Sequence, residues 1–235
     1  MSEPTETRRD ALRRAALGAG ALTLAGLGQP VAAFAQAPDD EDLRDFLVEA
    51  IGLEQVTVLA YSTAADANGI DTALKTTLEA FRGQEQAHAD ALRAALDGLG
   101  FDPPAAPDSA TDTAVFDDVE GLSDEATDQL TGHLDDLEAL DSAGSKQLLA
   151  FLTELEGEQL SLYVGGAPAL DSEDLATTAV EIAGCQAEHL VVLGIELGDS
   201  SADSIASVSQ AAQTAAAAAD ATDSDSEDTD ASTSE

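Results

Sequence analysis

The chain has 235 residues and carries 47 Asp and Glu against 9 Lys and Arg, a formal charge of -38. That balance excludes nucleic acid as a partner, because neutralising phosphates takes clustered Lys and Arg, and Lys75 and Lys146 are the only lysines. Cys185 is the single cysteine, which excludes an intramolecular disulfide and a zinc-thiolate cluster, so stability must come from packing.

The chain opens with "TETRRDALRRAALGAGALTLAGLG" and reaches "VAAFAQA", the layout of an export signal: paired Arg8 and Arg9, a short apolar run, then small residues around Phe34. "TRRDALR" resembles the twin-arginine motif, with Ala11 where that motif usually has Phe. Residues 1–35 are thus expected to be a twin-arginine signal cleaved before Gln36, giving an extracytoplasmic, envelope or secreted protein. Membrane contact is expected only through an uncleaved signal, since the run from Ala15 to Gly28 is short and glycine-rich for a span. Cleavage removes four arginines and three acids, leaving a slightly more acidic chain.

From Glu41 to Ala67, Leu43, Leu47, Ala50, Val58 and Tyr61 recur at helical spacing, and Asn68-Gly69 supplies a stop. Glu54 stands seven residues from both Leu47 and Tyr61, nearly two turns each way, so it projects from the apolar face. Asp71 can cap a second helix to about Leu99, whose seam reads Leu74, Leu78, Phe81, Glu85, His88, Leu92, Ala95 and Leu99. Glu85 and His88 occupy consecutive core positions, where an unpaired carboxylate costs several kcal/mol, so partners are expected.

"GFDPPAAPDSATDTAVFDD" then reads as a crossover loop, and Ser123 to Leu140 as an intermediate helix in which His133 is expected on the surface. A third strong helix, Ala143 to Val164, carries Leu149, Leu152, Glu156, Leu160 and Tyr163 on one face. Its "LEGEQLSLY" echoes the first helix's "LEQVTVLAY": Leu-Glu, six residues, Tyr; Glu158 faces elsewhere. Asp171 or Ser172 can cap a fourth helix to about Leu197, with Leu175, Ala179, Ile182, Gln186, His189, Leu193 and Leu197 in register. Cys185 falls one residue off that seam and reads as a small packed residue. Two helix-pair repeats result, each an inner Glu and Tyr followed by an inner pair ending in His.

From Asp199 the Ala/Ser/Asp composition leaves little to bury, so residues 199–235 are expected to form an acidic, mostly disordered tail with a short Ala-rich helix near Gln210 to Ala218. The acidity fits a high-salt habitat, where counterions screen surface carboxylates over a few ångströms. The bland alternative is a tail that inflates the count.

Glu, Glu-x-x-His, Glu and x-x-x-His on four successive helices resemble the ferritin-like superfamily of di-iron and di-manganese carboxylate bundles. "LTELEGEQLSLYVGGAPAL", "EIAGCQAEHLVVL" and "VFDD" are similar to exported ferritin-like proteins related to desiccation-associated plant proteins. The resemblance implies an all-α fold, a four-helix bundle over 36–198 made of the two helix pairs and a crossover. It implies Glu54, Glu85, His88, Glu156 and His189 as ligands of iron or manganese, with Tyr61 and Tyr163 beside them. Gln186 stands where a fourth carboxylate is expected, so three carboxylates face the charge of two divalent ions. Two functions stay open: an exported di-metal protein that oxidises Fe(II) or consumes peroxide in stress protection, and a metal-free bundle with a non-catalytic stress or envelope role. No catalytic residue is assigned, iron storage in a cage is less favoured, and homo-oligomer formation stays open.

Overall fold

The computed structural model describes residues 40–140, 144–167, 170 and 172–226. The export signal expected over 1–35 lies outside them, as does the end of the acidic tail. The described residues are all-α, with no strand. Helix α1 spans Asp40–Asp66 and α2 spans Thr72–Gly98. The turn between them contains Gly69, whose φ of 90° an L side chain rarely adopts. Asp71 caps α2 by accepting from the Leu74 N–H at 2.8 Å. Helix α3 spans Asp124–Ala139, capped by Ser123. Helix α4 spans Ser145–Gly166 and α5 spans Glu173–Leu197. Of the two caps expected for α5, Ser172 accepts from the Leu175 N–H; Asp171 lies outside the described residues.

Helix α1 packs along α2, α4 packs along α5, and α1 meets α4, so the two sequence repeats are also the two halves of a four-helix bundle. The crossover runs over one side of it. There a short 3-10 helix, Thr113–Phe116, buries Phe116, and α3 lays Leu130, Leu134 and Leu137 inward near α1. Gly52 makes this approach possible: a Cβ there would stand 2.6 Å from Leu130 Cδ1 and 3.6 Å from Phe116 Cε1.

Two details of the expected helices change. Val58 is only half-buried, while Thr57 is buried and its hydroxyl donates to the Leu53 carbonyl at 2.9 Å. Polar Thr57 takes an inward position because its hydroxyl finds a partner within its own helix.

The tail departs further from the reading of its composition. Residues Ser201–Ser226 form helix α6, which packs against α4 and α5. Alanine is the strongest helix former, and Ser200 Oγ accepts from the Asp203 N–H at 3.2 Å at the start of the helix. Val208, Ala211 and Ala212 pack onto the core, and Ser204 is buried against Gly194 of α5. Ser204, Val208, Ala211 and Ala212 share the face that meets α4 and α5, which an average over composition hides, while Ile205 stays exposed.

On all four bundle helices the buried carboxylates and histidines sit between two apolar clusters. One contains Tyr61, Phe81, Leu152 and Val192, the other Ile51, Leu92, Tyr163 and Ile182. Glu54, Glu85, His88, Glu156, Gln186 and His189, none more than 2 % exposed, form the layer in between.

Candidate metal centre

Each helix delivers its polar residues to this layer by register alone. Glu85 and His88 lie less than one turn apart on α2, and Gln186 and His189 repeat that spacing on α5. Glu54 and Glu156 come from α1 and α4. The tyrosines one heptad later cross between the pairs. Tyr163 of α4 donates to Glu54 Oε1 of α1 at 2.5 Å, and Tyr61 of α1 donates to Glu156 Oε1 of α4. Each helix pair thereby fixes the carboxylate of the other.

Two groups of potential ligands share one residue. Glu54, Glu85 and His88 form the first, and Glu85, Glu156 and His189 the second; within each, the donor atoms lie within 4.8 Å of one another. Glu85 Oε1 is 2.9 Å from His189 Nδ1, while Glu85 Oε2 is 3.6 Å from His88 Nδ1. A carboxylate with one oxygen toward each histidine is what a bridge between two cations requires.

The network leaves buried atoms without hydrogen bonds: Glu54 Oε2, Glu85 Oε1, Glu156 Oε2, Gln159 Oε1, Gln186 Oε1 and His88 Nδ1. Such orphans cost roughly 1–3 kcal/mol each, more when charged. Six in one layer, all oxygen or imidazole-nitrogen atoms able to bind a metal, fit a cation. The donor set, mainly oxygens with two imidazoles, suits iron or manganese.

Electrostatics agree with a site built for positive charge. Burial pushes the Glu54 carboxyl well above the ordinary range, and the Glu85 charge adds to this against the pull of His88. Burial likewise pushes Glu156 up to about 7, with His189 opposing. Burial works on Glu85 too, but the two histidines outweigh it and hold that carboxyl well below the ordinary range. Burial disfavours the imidazolium of His88 and of His189, yet neighbouring groups outweigh it and raise both. Protons balance part of the buried carboxylate charge, and an ion entering here would displace them.

Two glutamines missed by the sequence reading complete the layer. Gln84 Oε1 faces His189 Nε2 at 2.8 Å, and Gln159 Nε2 donates to Glu85 Oε2 at 3.2 Å. A protonated His189 donates to Gln84 from Nε2 and to Glu156 Oε1 from Nδ1, the latter at 3.0 Å. Losing the Nδ1 proton turns that atom into a donor for a metal while the bond to Gln84 fixes the ring. Phe81 also stacks on it, centroids 3.9 Å apart. A signal for Gln159 was present: it follows Glu156 at the same three-residue spacing as His88 follows Glu85.

Cys185 is buried, as a packed residue should be, but its Sγ lies 3.5 Å from His189 Nε2. Burial raises the thiol pKa, and the two histidines outweigh that and lower it. His133, expected on the surface, is instead half-buried away from the layer, with Nε2 2.6 Å from Glu158 Oε2 and its ring edge-on to Phe151. Glu158 lies some 200° round α4 from Glu156, which turns it toward α3.

The sequence profile of the ferritin-like domain matches residues 42–198. No curated protein and no solved structure matches the chain. With the profile covering most of the chain and the four bundle helices falling inside it, the chain belongs to the ferritin-like family.

Proposed function

We propose that this protein carries a di-metal carboxylate centre for iron or manganese, and that the centre serves Fe(II) oxidation or the removal of peroxide outside the cytoplasm. One observation carries the reading: six buried donor atoms without hydrogen bonds belong to one layer sealed between two apolar clusters. Glu54, Glu85 and His88 would hold one ion and Glu85, Glu156 and His189 the other, with Gln186 Oε1 a neutral oxygen donor in reserve. Divalent iron or manganese held there would be the reductant of oxygen or peroxide, itself becoming oxidised. The chain's own residues exclude bulk water, hold the carboxylates through Tyr61 and Tyr163, and release protons from the histidines and from Glu156 as the ions enter.

Metal analysis of protein purified without chelator tests this, together with anaerobic Fe(II) titration. The expected result is at least one equivalent taken up, with affinity falling as pH drops, because the histidines with their raised pKa hold protons and Glu156 regains its own through about 7. Less than about one-tenth equivalent in both measurements would sink the proposal.

Gln186 favours a second reading, a metal-free bundle with a non-catalytic stress or envelope role. Its amide donates to two of the carboxylates and closes part of the network without an ion. That reading expects Glu85→Ala with His88→Ala to keep or raise stability whether or not metal is supplied. Export through a twin-arginine signal, kinship with desiccation-related proteins and self-association belong to the proposal as well. The motif "TRRDALR" and the small residues before Gln36 support the first of these.

A further inference from the structure

The two halves of the layer are built unequally, and Gln186 makes the difference. Its Nε2 donates to Glu85 Oε2 at 3.0 Å and to Glu54 Oε1 at 3.4 Å. Glu85 Oε2 also accepts from Gln159, so both in-plane lone pairs of that oxygen are taken. This is the oxygen that faces His88. The other oxygen, Oε1, faces His189 Nδ1 at 2.9 Å and accepts no hydrogen bond. The shared carboxylate is therefore capped toward the His88 half and open toward the His189 half. Formal charge does not distinguish the halves, since each adds one glutamate to the shared Glu85. Ring fixation does: His189 is held by Gln84 and stacked on Phe81, whereas His88 has the weakly bonding Cys185 thiol as its neighbour and its Nδ1 lies 3.6 Å and 3.7 Å from its carboxylates without a hydrogen bond.

We propose that the centre takes up its ions unequally, the first between Glu85, Glu156 and His189, the second between Glu54, Glu85 and His88 only in competition with the Gln186 carboxamide. The inference rests on the metal-centre reading above. For the second ion to enter, the amide must surrender both N–H bonds and turn its unpartnered Oε1 inward. Hydrogen bonds to charged groups are the stronger kind, so the second ion binds more weakly by about tenfold or more. Glutamate at this position removes the N–H donors and supplies a charged oxygen.

Calorimetric titration of the metal-free protein with Mn(II), with elemental analysis and electron paramagnetic resonance, tests the inference without any activity assay. In the wild type, one equivalent is expected to bind tightly with the signal of an isolated ion, and a second about tenfold or more weaker. Gln186→Glu is expected to bind two equivalents with comparable affinity and to give the signal of a coupled pair. His189→Ala should lose the tight ion and His88→Ala should keep it. Two equal equivalents in the wild type would overturn the inequality while leaving the metal centre standing. So would a tight ion lost in His88→Ala and kept in His189→Ala, or a folded Gln186→Glu that gains no second ion. An absence of binding by both wild type and Gln186→Glu, of Mn(II) and, in an anaerobic titration, of Fe(II), would overturn the metal-centre reading and the inference with it. The wild-type titration decides the inequality even if a variant does not fold.

Discussion

Gln84 illustrates how a neutral side chain governs a site to which it contributes no ligand. It accepts from His189 Nε2 at 2.8 Å inside the protein, where an imidazole otherwise rotates or changes tautomer. Replacing it by leucine keeps the volume near that of glutamine and removes the acceptor. Gln84→Leu is expected to weaken metal binding by about 10- to 100-fold, the usual loss for a residue that orients a ligating histidine. Mn(II) titration reads this, and Gln84→Glu, which restores an acceptor, should recover most of the affinity. Unchanged affinity in Gln84→Leu would show that Phe81 stacking alone holds the ring. Gln84 was invisible in the seam because it stands one position before Glu85, and a linear pattern does not reveal which neighbour a buried amide reaches.

Among the helices, glycines with opposite surroundings make a paired prediction. Gly83 is exposed within α2, and a Cβ there meets nothing within 4 Å. Gly83→Ala should stabilise by about 0.5–1 kcal/mol through helix propensity alone. Gly52 in α1 gains the same propensity from alanine, but its Cβ would stand 2.6 Å from Leu130 Cδ1. Leu130 is 2 % exposed, so it has little room to swing away. Overpacking costs about 1–3 kcal/mol, which outweighs the propensity gain, so Gly52→Ala should be destabilised by about 1 kcal/mol net. Urea unfolding of both variants in the wild-type buffer checks the opposite signs. The four main helices were legible because their seams repeat at helical spacing over more than twenty residues. Helix α6 was not, since its few apolar residues acquire meaning only against the surface of α4 and α5.

At the scale of the whole molecule, a charge of -38 on a chain of 235 residues sets the conditions for folding. The carboxylates of the inner layer are few, so nearly all of the excess lies outside it and repels itself across the surface. Ions at molar concentration shorten the screening distance to about 3 Å and remove most of that repulsion. Circular dichroism in molar KCl and in dilute buffer is therefore expected to show a melting temperature that rises steeply with salt. Salt-independent melting would refute the halophilic reading.

By itself the sequence determined the all-α fold, the two helix-pair repeats and the eight seam residues from Glu54 to His189, because helical periodicity fixes which side chains point inward. Only the tertiary structure decided what those side chains do to each other. Tyr61 serves Glu156 and Tyr163 serves Glu54 because α1 and α4 face each other across the bundle. In the same way, the amide of Gln186 falls on Glu54 and the His88-facing oxygen of Glu85. Period specifies a direction from one helix axis; a hydrogen bond needs the distance between two axes, which packing alone sets.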